Sequence, residues 1–188
     1  MIRVLAAPLR RLRRCQKELL ADERAVTAIE FGLLGIPFFA VIGAILQTSV
    51  IFLASQVLES AVNDAAREIR TGQLQQRSAT VETFRTEVCN RLFGLFPDCA
   101  GLHVRVTTVT DFQSATPVPP VDPNCRAPCD WTSSERYENP VGGKVVQVQV
   151  HYRYPVLLTL GPLGLSNMGD GRRLIGSATV FKTEPFPS

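Results

Sequence analysis

Histidine is nearly absent from this chain: the 188 residues hold two, His103 and His151, beside one tryptophan and two methionines. Acid–base chemistry near neutral pH leans on histidine, so proton transfer would fall on carboxylates, and these form no paired motif. The sequence also lacks G-x-S-x-G, a P-loop, H-E-x-x-H and a glycine-rich dinucleotide turn. No catalytic residue, cofactor site or metal site is therefore assigned, and the chain reads as a non-enzyme. No segment repeats at a fixed period, and 13 Gly with 13 Pro exclude collagen-like and low-complexity classes.

An excess of either charge is missing from most of the chain. Residues 1–24 hold seven Lys or Arg (Arg3, Arg10, Arg11, Arg13, Arg14, Lys17 and Arg24) against three acids, a local net of +4, while the 134 residues after Ala54 carry 13 bases and 13 acids. The formal +3 of the whole chain thus belongs to its N-terminus. A nucleic-acid partner needs cations spread over a folded face, so none is expected.

Between these regions charge disappears. Phe31–Ala54 is 24 residues with no charge, 14 of them Leu, Ile, Val or Phe, and about 36 Å as helix against about 30 Å of hydrocarbon. The run predicts a single membrane span. The cationic flank before it keeps the N-terminus cytoplasmic and exports the chain beyond Ala54. A cleaved secretory signal fits less well, because the apolar run exceeds an h-region and no A-x-A pattern stands near Ala54. Pro37 invites a kink, and Ala40 with Ala44 forms one small-xxx-small pair.

Glu30 opens the span. Residues 23–34 read Glu-Arg-Ala-Val-Thr-Ala-Ile-Glu-Phe-Gly-Leu-Leu, which resembles the processing segment of type IV pilin-like proteins of the Tad (tight adherence, Flp pilus) branch, and most closely the TadE-like family. The resemblance is strongest over residues 13–72. It implies a prepilin peptidase cut between Ala25 and Val26, with Arg24 before it and Glu30 and Phe31 at the fifth and sixth positions after it. Ala25 departs from the commoner Gly. Such a cut would remove the +4 patch, leave a chain of net −1, and place a new α-ammonium on Val26, one helical turn from Glu30.

Downstream, Val57, Leu58, Ala61, Val62, Ala65 and Ile69 recur at helical spacing, and Gly72 suits a C′ stop. The span is expected to continue outward as one long helix with an amphipathic half. Ser78 is the expected cap of a second helix carrying Val81, Phe84, Val88 and Leu92 and ending before Pro97. Leu102, Val104 and Val106 alternate with polar residues, as do Val146, Val148, Val150, Tyr152 and Tyr154, predicting half-buried strands. Residues 173–182 give a third strand with a bulge at Gly176. The expected fold is α+β: a long N-terminal helix, a second helix and an antiparallel sheet of three or more strands. Residues 112–143, rich in Pro, read as one long surface loop.

Cys15 falls in the leader. Cys89, Cys99, Cys125 and Cys129 fall on the exported side, where two disulfides are the default; the local pairs Cys89 with Cys99 and Cys125 with Cys129 are favoured and cross-pairing stays open. A zinc site from these cysteines with His103 and His151 is disfavoured, because both histidines alternate with apolar residues and should face solvent. Leu157–Leu165 is apolar but too short and broken to span, either a core-covering loop or a docking patch.

The expected organisation is a basic cytoplasmic leader (1–25), a transmembrane helix (26–54) and a periplasmic α+β domain (55–188). By the resemblance, this is a minor pilin or pseudopilin supporting assembly of an adhesion pilus at the inner membrane, its partners a prepilin peptidase and other pilin or Tad secretion components. The rival reading is a tethered periplasmic binding or sensing domain that uses the span only as an anchor.

Overall fold

The computed structural model describes residues 23–77, 79–122, 124–158 and 164–186. It divides into two compact units, Met1–Leu46 and Gln47–Ser188. Helix α1, Glu23–Arg70, runs through the boundary and carries Pro37 in its interior.

In the first unit the apolar side chains of α1 point outward. Phe31, Leu33, Leu34, Ile36, Phe38 and Phe39 are each 60–75% exposed. Among the described residues one helix is long and apolar enough to cross a membrane, and none of its most apolar stretch is buried. A soluble core helix would bury that stretch; among the described residues nothing covers it.

The second unit starts at Gln47, inside the expected span, and its core stripe on α1 starts at Ile51. Ile51, Ala54, Leu58, Ala61, Val62, Ala65, Ala66 and Ile69 are buried, the three-and-four spacing of one helix face. Four of the eight are Ala, which lets the sheet approach the helix closely. The helix ends in a Schellman motif: Gly72, at φ 78°, donates to the Ile69 carbonyl, and Gln73 N–H donates to that of Glu68.

The second helix, α2, is Val81–Cys89. Its N-cap is Thr80, whose Oγ1 accepts from Thr83 N–H at 3.2 Å, not Ser78, which lies outside the described residues. It also stops earlier than expected, with Asn90 as C-cap, because Phe93 and Gly94 take left-handed φ of 51° and 70° and turn the chain. Leu92 stays buried from that turn.

Strands β1 (His103–Val109), β2 (Arg136–Tyr137), β3 (Val145–Tyr154) and β4 (Arg173–Lys182) form one sheet in the order β2-β1-β3-β4. The class is α+β as expected, but the sheet is mixed rather than antiparallel, since β1 pairs with β2 in parallel. That strand lies inside the stretch expected to be loop throughout. Gly176 makes no bulge: it pairs in register with His151, and a Cβ on it would stand 2.4 Å from the imidazole Cδ2. Glycine is there because the histidine lies across it.

Val104, Val106, Val146, Val148, Val150, Tyr152 and Ile175 pack with the α1 stripe, Phe84, Val88 and Phe96 into one core. The expected half-burial of β3 fails over Val145–Val150, where every residue is buried, Gln147 and Gln149 included. The strand lies between β1 and β4, so Gln147 is flanked by Thr107 and Val180 and Gln149 by Arg105 and Ala178, neighbours on both sides that alternation alone does not count.

Candidate functional site

The residues singled out for processing lie at the start of α1. Arg24, Ala25 and Val26 are helical, at the beginning of the described part of α1. Glu30 and Phe31 follow on the same helix and are exposed. Carboxylate and ring thus lead a surface made of Leu, Ile and Phe.

The four cysteines beyond α1 fall into two local pairs at disulfide distance. Cys89 ends α2, its Cα 5.9 Å from that of Cys99 in the turn Cys99–Gly101, so the pair ties the helix to the start of β1. Cys125 and Cys129 are 5.4 Å apart and belong to a small second core with Val121 and Met168. Gly169 packs under this loop; a Cβ there would stand 1.9 Å from the Cys125 carbonyl oxygen.

The histidines do not face solvent as expected. His103 is 2% exposed, because the chain after Cys129 folds back over β1. Trp131 meets its ring edge-on at 4.6 Å, and the Arg153 guanidinium lies over the indole at 4.5 Å while donating to the Cys129 carbonyl at 2.7 Å. His103 Nε2 is 2.8 Å from the Ser133 carbonyl, and a carbonyl only accepts, so Nε2 carries the proton. Burial lowers the His103 pKa against the pull of Glu135, and Arg105, Arg153 and Arg85 lower it further. His151, its cross-strand partner, is lowered to about 4 by burial and by His103. Among the described residues no group of three or more His, Cys, Asp or Glu is placed to hold a metal.

The sheet edge at β1 is closed by charge. Arg85 Nη2 donates to both Glu135 oxygens at 2.6 Å, and Glu135 Oε1 also accepts the Val104 N–H at 3.0 Å. Burial opposes ionisation of Glu135, but the Arg85 bonds, the Val104 N–H and the Arg85 charge hold its pKa below the usual range. On the other side of β2, Glu138 accepts the Thr108 N–H at 2.6 Å and its own N–H donates to the Val106 carbonyl. A two-residue strand flanked by two carboxylates therefore satisfies the outer groups of a seven-residue one. Arg91 plays a similar part against α1, bonding Glu87 and, at 2.6 Å, Glu68.

The clefts on the second unit are shallow. An apolar one of about 320 Å³ is lined by Val118, Pro119, Val121, Met168 and Leu174 with Asp122 and Asn167, and it holds a single titratable group. Another, of about 330 Å³, holds Asp64, Arg67, Glu68 and Arg91, but there Arg91 and Glu68 neutralise each other.

These features define a class: a helix whose outward-facing apolar run opens at Glu30 and that continues into a small α+β unit with two cysteine pairs. The family model described as TadE-like protein matches residues 25–67, which begins at the expected processing site and ends within the helix stripe that packs on the sheet. No curated protein and no solved structure matches the chain.

Proposed function

We propose that this chain is a minor pilin or pseudopilin that supports assembly of a Tad, or Flp-type, adhesion pilus at the inner membrane. The observation that carries the reading is the TadE-like match falling on residues 25–67, the stretch whose first half presents bare Leu, Ile and Phe to its surroundings. Residues 1–25 are the cytoplasmic leader, 26–54 the span and 55–188 the periplasmic part. The leader's cations hold the N-terminus in the cytoplasm until a prepilin peptidase cuts between Ala25 and Val26.

The cut changes the physics of the helix. It removes a net +4 that resists withdrawal from the cytoplasmic face, and it places an ammonium on Val26 one turn from Glu30. In hydrocarbon a carboxylate needs a partner, supplied by its own N-terminus or a neighbour's. Helices that share a bilayer then associate through their apolar surfaces and this charge pair. The protein catalyses nothing in this scheme.

Coexpression with the peptidase, followed by N-terminal sequencing of the membrane-extracted protein, tests it. The mature chain should start at Val26, and Glu30→Ala should leave cleavage intact while reducing piliation. A mature protein that still starts at Met1 in piliated cells would overturn the reading.

A further inference from the structure

Gln47 sits in the apolar run of α1, and its side-chain amide both donates and accepts. Its Oε1 accepts the Leu158 N–H at 2.6 Å and its Nε2 donates to the Leu158 carbonyl at 3.3 Å. One amide thus satisfies both backbone groups of a residue outside any helix or strand. Beside it Leu157 is 88% exposed. On the neighbouring turns of the helix Val50, Phe52 and Leu53 are exposed too, while Ile51 and Ala54 face the core. From Tyr154 to Gly169 the sequence carries no charge.

We infer that Leu157 and Leu158, just past Val156, which packs on the core, enter the outer leaflet of the bilayer, held there by Gln47, so that the second unit touches lipid at another point besides the span. The inference rests on the reading of Phe31–Ala54 as a span. With Phe31 at the inner edge, about 30 Å of hydrocarbon at 1.5 Å per residue ends near Val50, which places Gln47 about one turn inside. An amide at that depth is costly unless paired, and so is irregular backbone. The Gln47–Leu158 pair removes both costs together. Lipid suits the segment better than a folded partner, because the exposed side chains around the pair, the small Thr48 and Ser49 apart, are aliphatic and aromatic (Leu46, Val50, Phe52, Leu53) and no charge stands at Leu157 or Leu158 to select a protein surface.

The test uses the full chain with Cys15→Ser, reconstituted in phosphatidylethanolamine–phosphatidylglycerol vesicles, with an environment-sensitive fluorophore at Leu157→Cys, Leu53→Cys or Gln113→Cys. The Leu157 and Leu53 probes should emit blue-shifted light that brominated lipid quenches; the probe at Gln113, exposed in a polar loop, should do neither. Adding Gln47→Ala should release the Leu157 probe to water and abolish its quenching. An unquenched Leu157 probe beside a quenched Leu53 probe overturns the inference and leaves the span standing. Both in water overturns the two together. Protection of Leu157 only when another pilin chain is present assigns the segment to a protein partner instead and also overturns the inference. Persistent quenching in Gln47→Ala refutes the role given to Gln47.

Discussion

Acidification should loosen the second unit well before its carboxylates titrate, and the cause is His151. Burial, with His103 beside it, lowers its pKa to about 4, against about 6.5 for an unfolded histidine. The folded state therefore binds fewer protons than the unfolded one between these values, and stability falls as pH falls through that window. It is fully present above about pH 6.5, and little further is lost below about 4. Between pH 7.5 and 5 the linkage amounts to about 2 kcal/mol, which for a unit of this size lowers Tm by about 5–10 °C. His103 is lowered too and acts with the same sign. The chain's single tryptophan, Trp131, touches His103, so intrinsic fluorescence of the detergent-solubilised full chain reports the transition directly. His151→Gln should flatten the dependence above pH 5. A Tm constant from pH 7.5 to 5, or a slope unchanged in His151→Gln, would refute the reasoning.

Gly169→Ala should lower Tm sharply, because a methyl at 1.9 Å from the Cys125 carbonyl oxygen forces backbone rather than side chain to move. The cost is about 3 kcal/mol, at the upper end of overpacking, and limited proteolysis should cut first in residues 120–131. Glu135→Ala leaves the Val104 N–H without its acceptor and takes the 2.6 Å bonds from Arg85, which keeps the Leu102 carbonyl and Glu82, and should cost about 1–3 kcal/mol; Glu135→Gln, which still accepts from both, should recover part of that in chemical denaturation.

Much of the helical part was legible because period is a local property. Leu58, Ala61, Val62, Ala65 and Ile69 announce a buried face by spacing alone, and Gly72 its end. The run from Phe31 is legible for the same reason, since charge is missing over a fixed length. The sheet was legible only in part. Alternation assigns side chains to faces but does not say what covers each face, so His103 and His151 were expected in solvent when the chain around Trp131 and the Gly176 position enclose them. The strand Arg136–Tyr137 has no period to read; it exists because Glu135 and Glu138 reach β1 residues about thirty positions away. Thr80 caps the second helix through the Thr83 N–H, and Ser78 and Thr80, two hydroxyls two positions apart, offer the same capping chemistry to a reading of sequence alone. The Gln47–Leu158 pair joins positions 111 apart, and nothing in either neighbourhood announces it.

Carboxylates seal one flank of this sheet, so subunits cannot stack strand against strand into an endless ribbon. Edge-to-edge pairing through the opposite flank would stop at two copies. Any longer array of this protein would need contacts other than strand pairing.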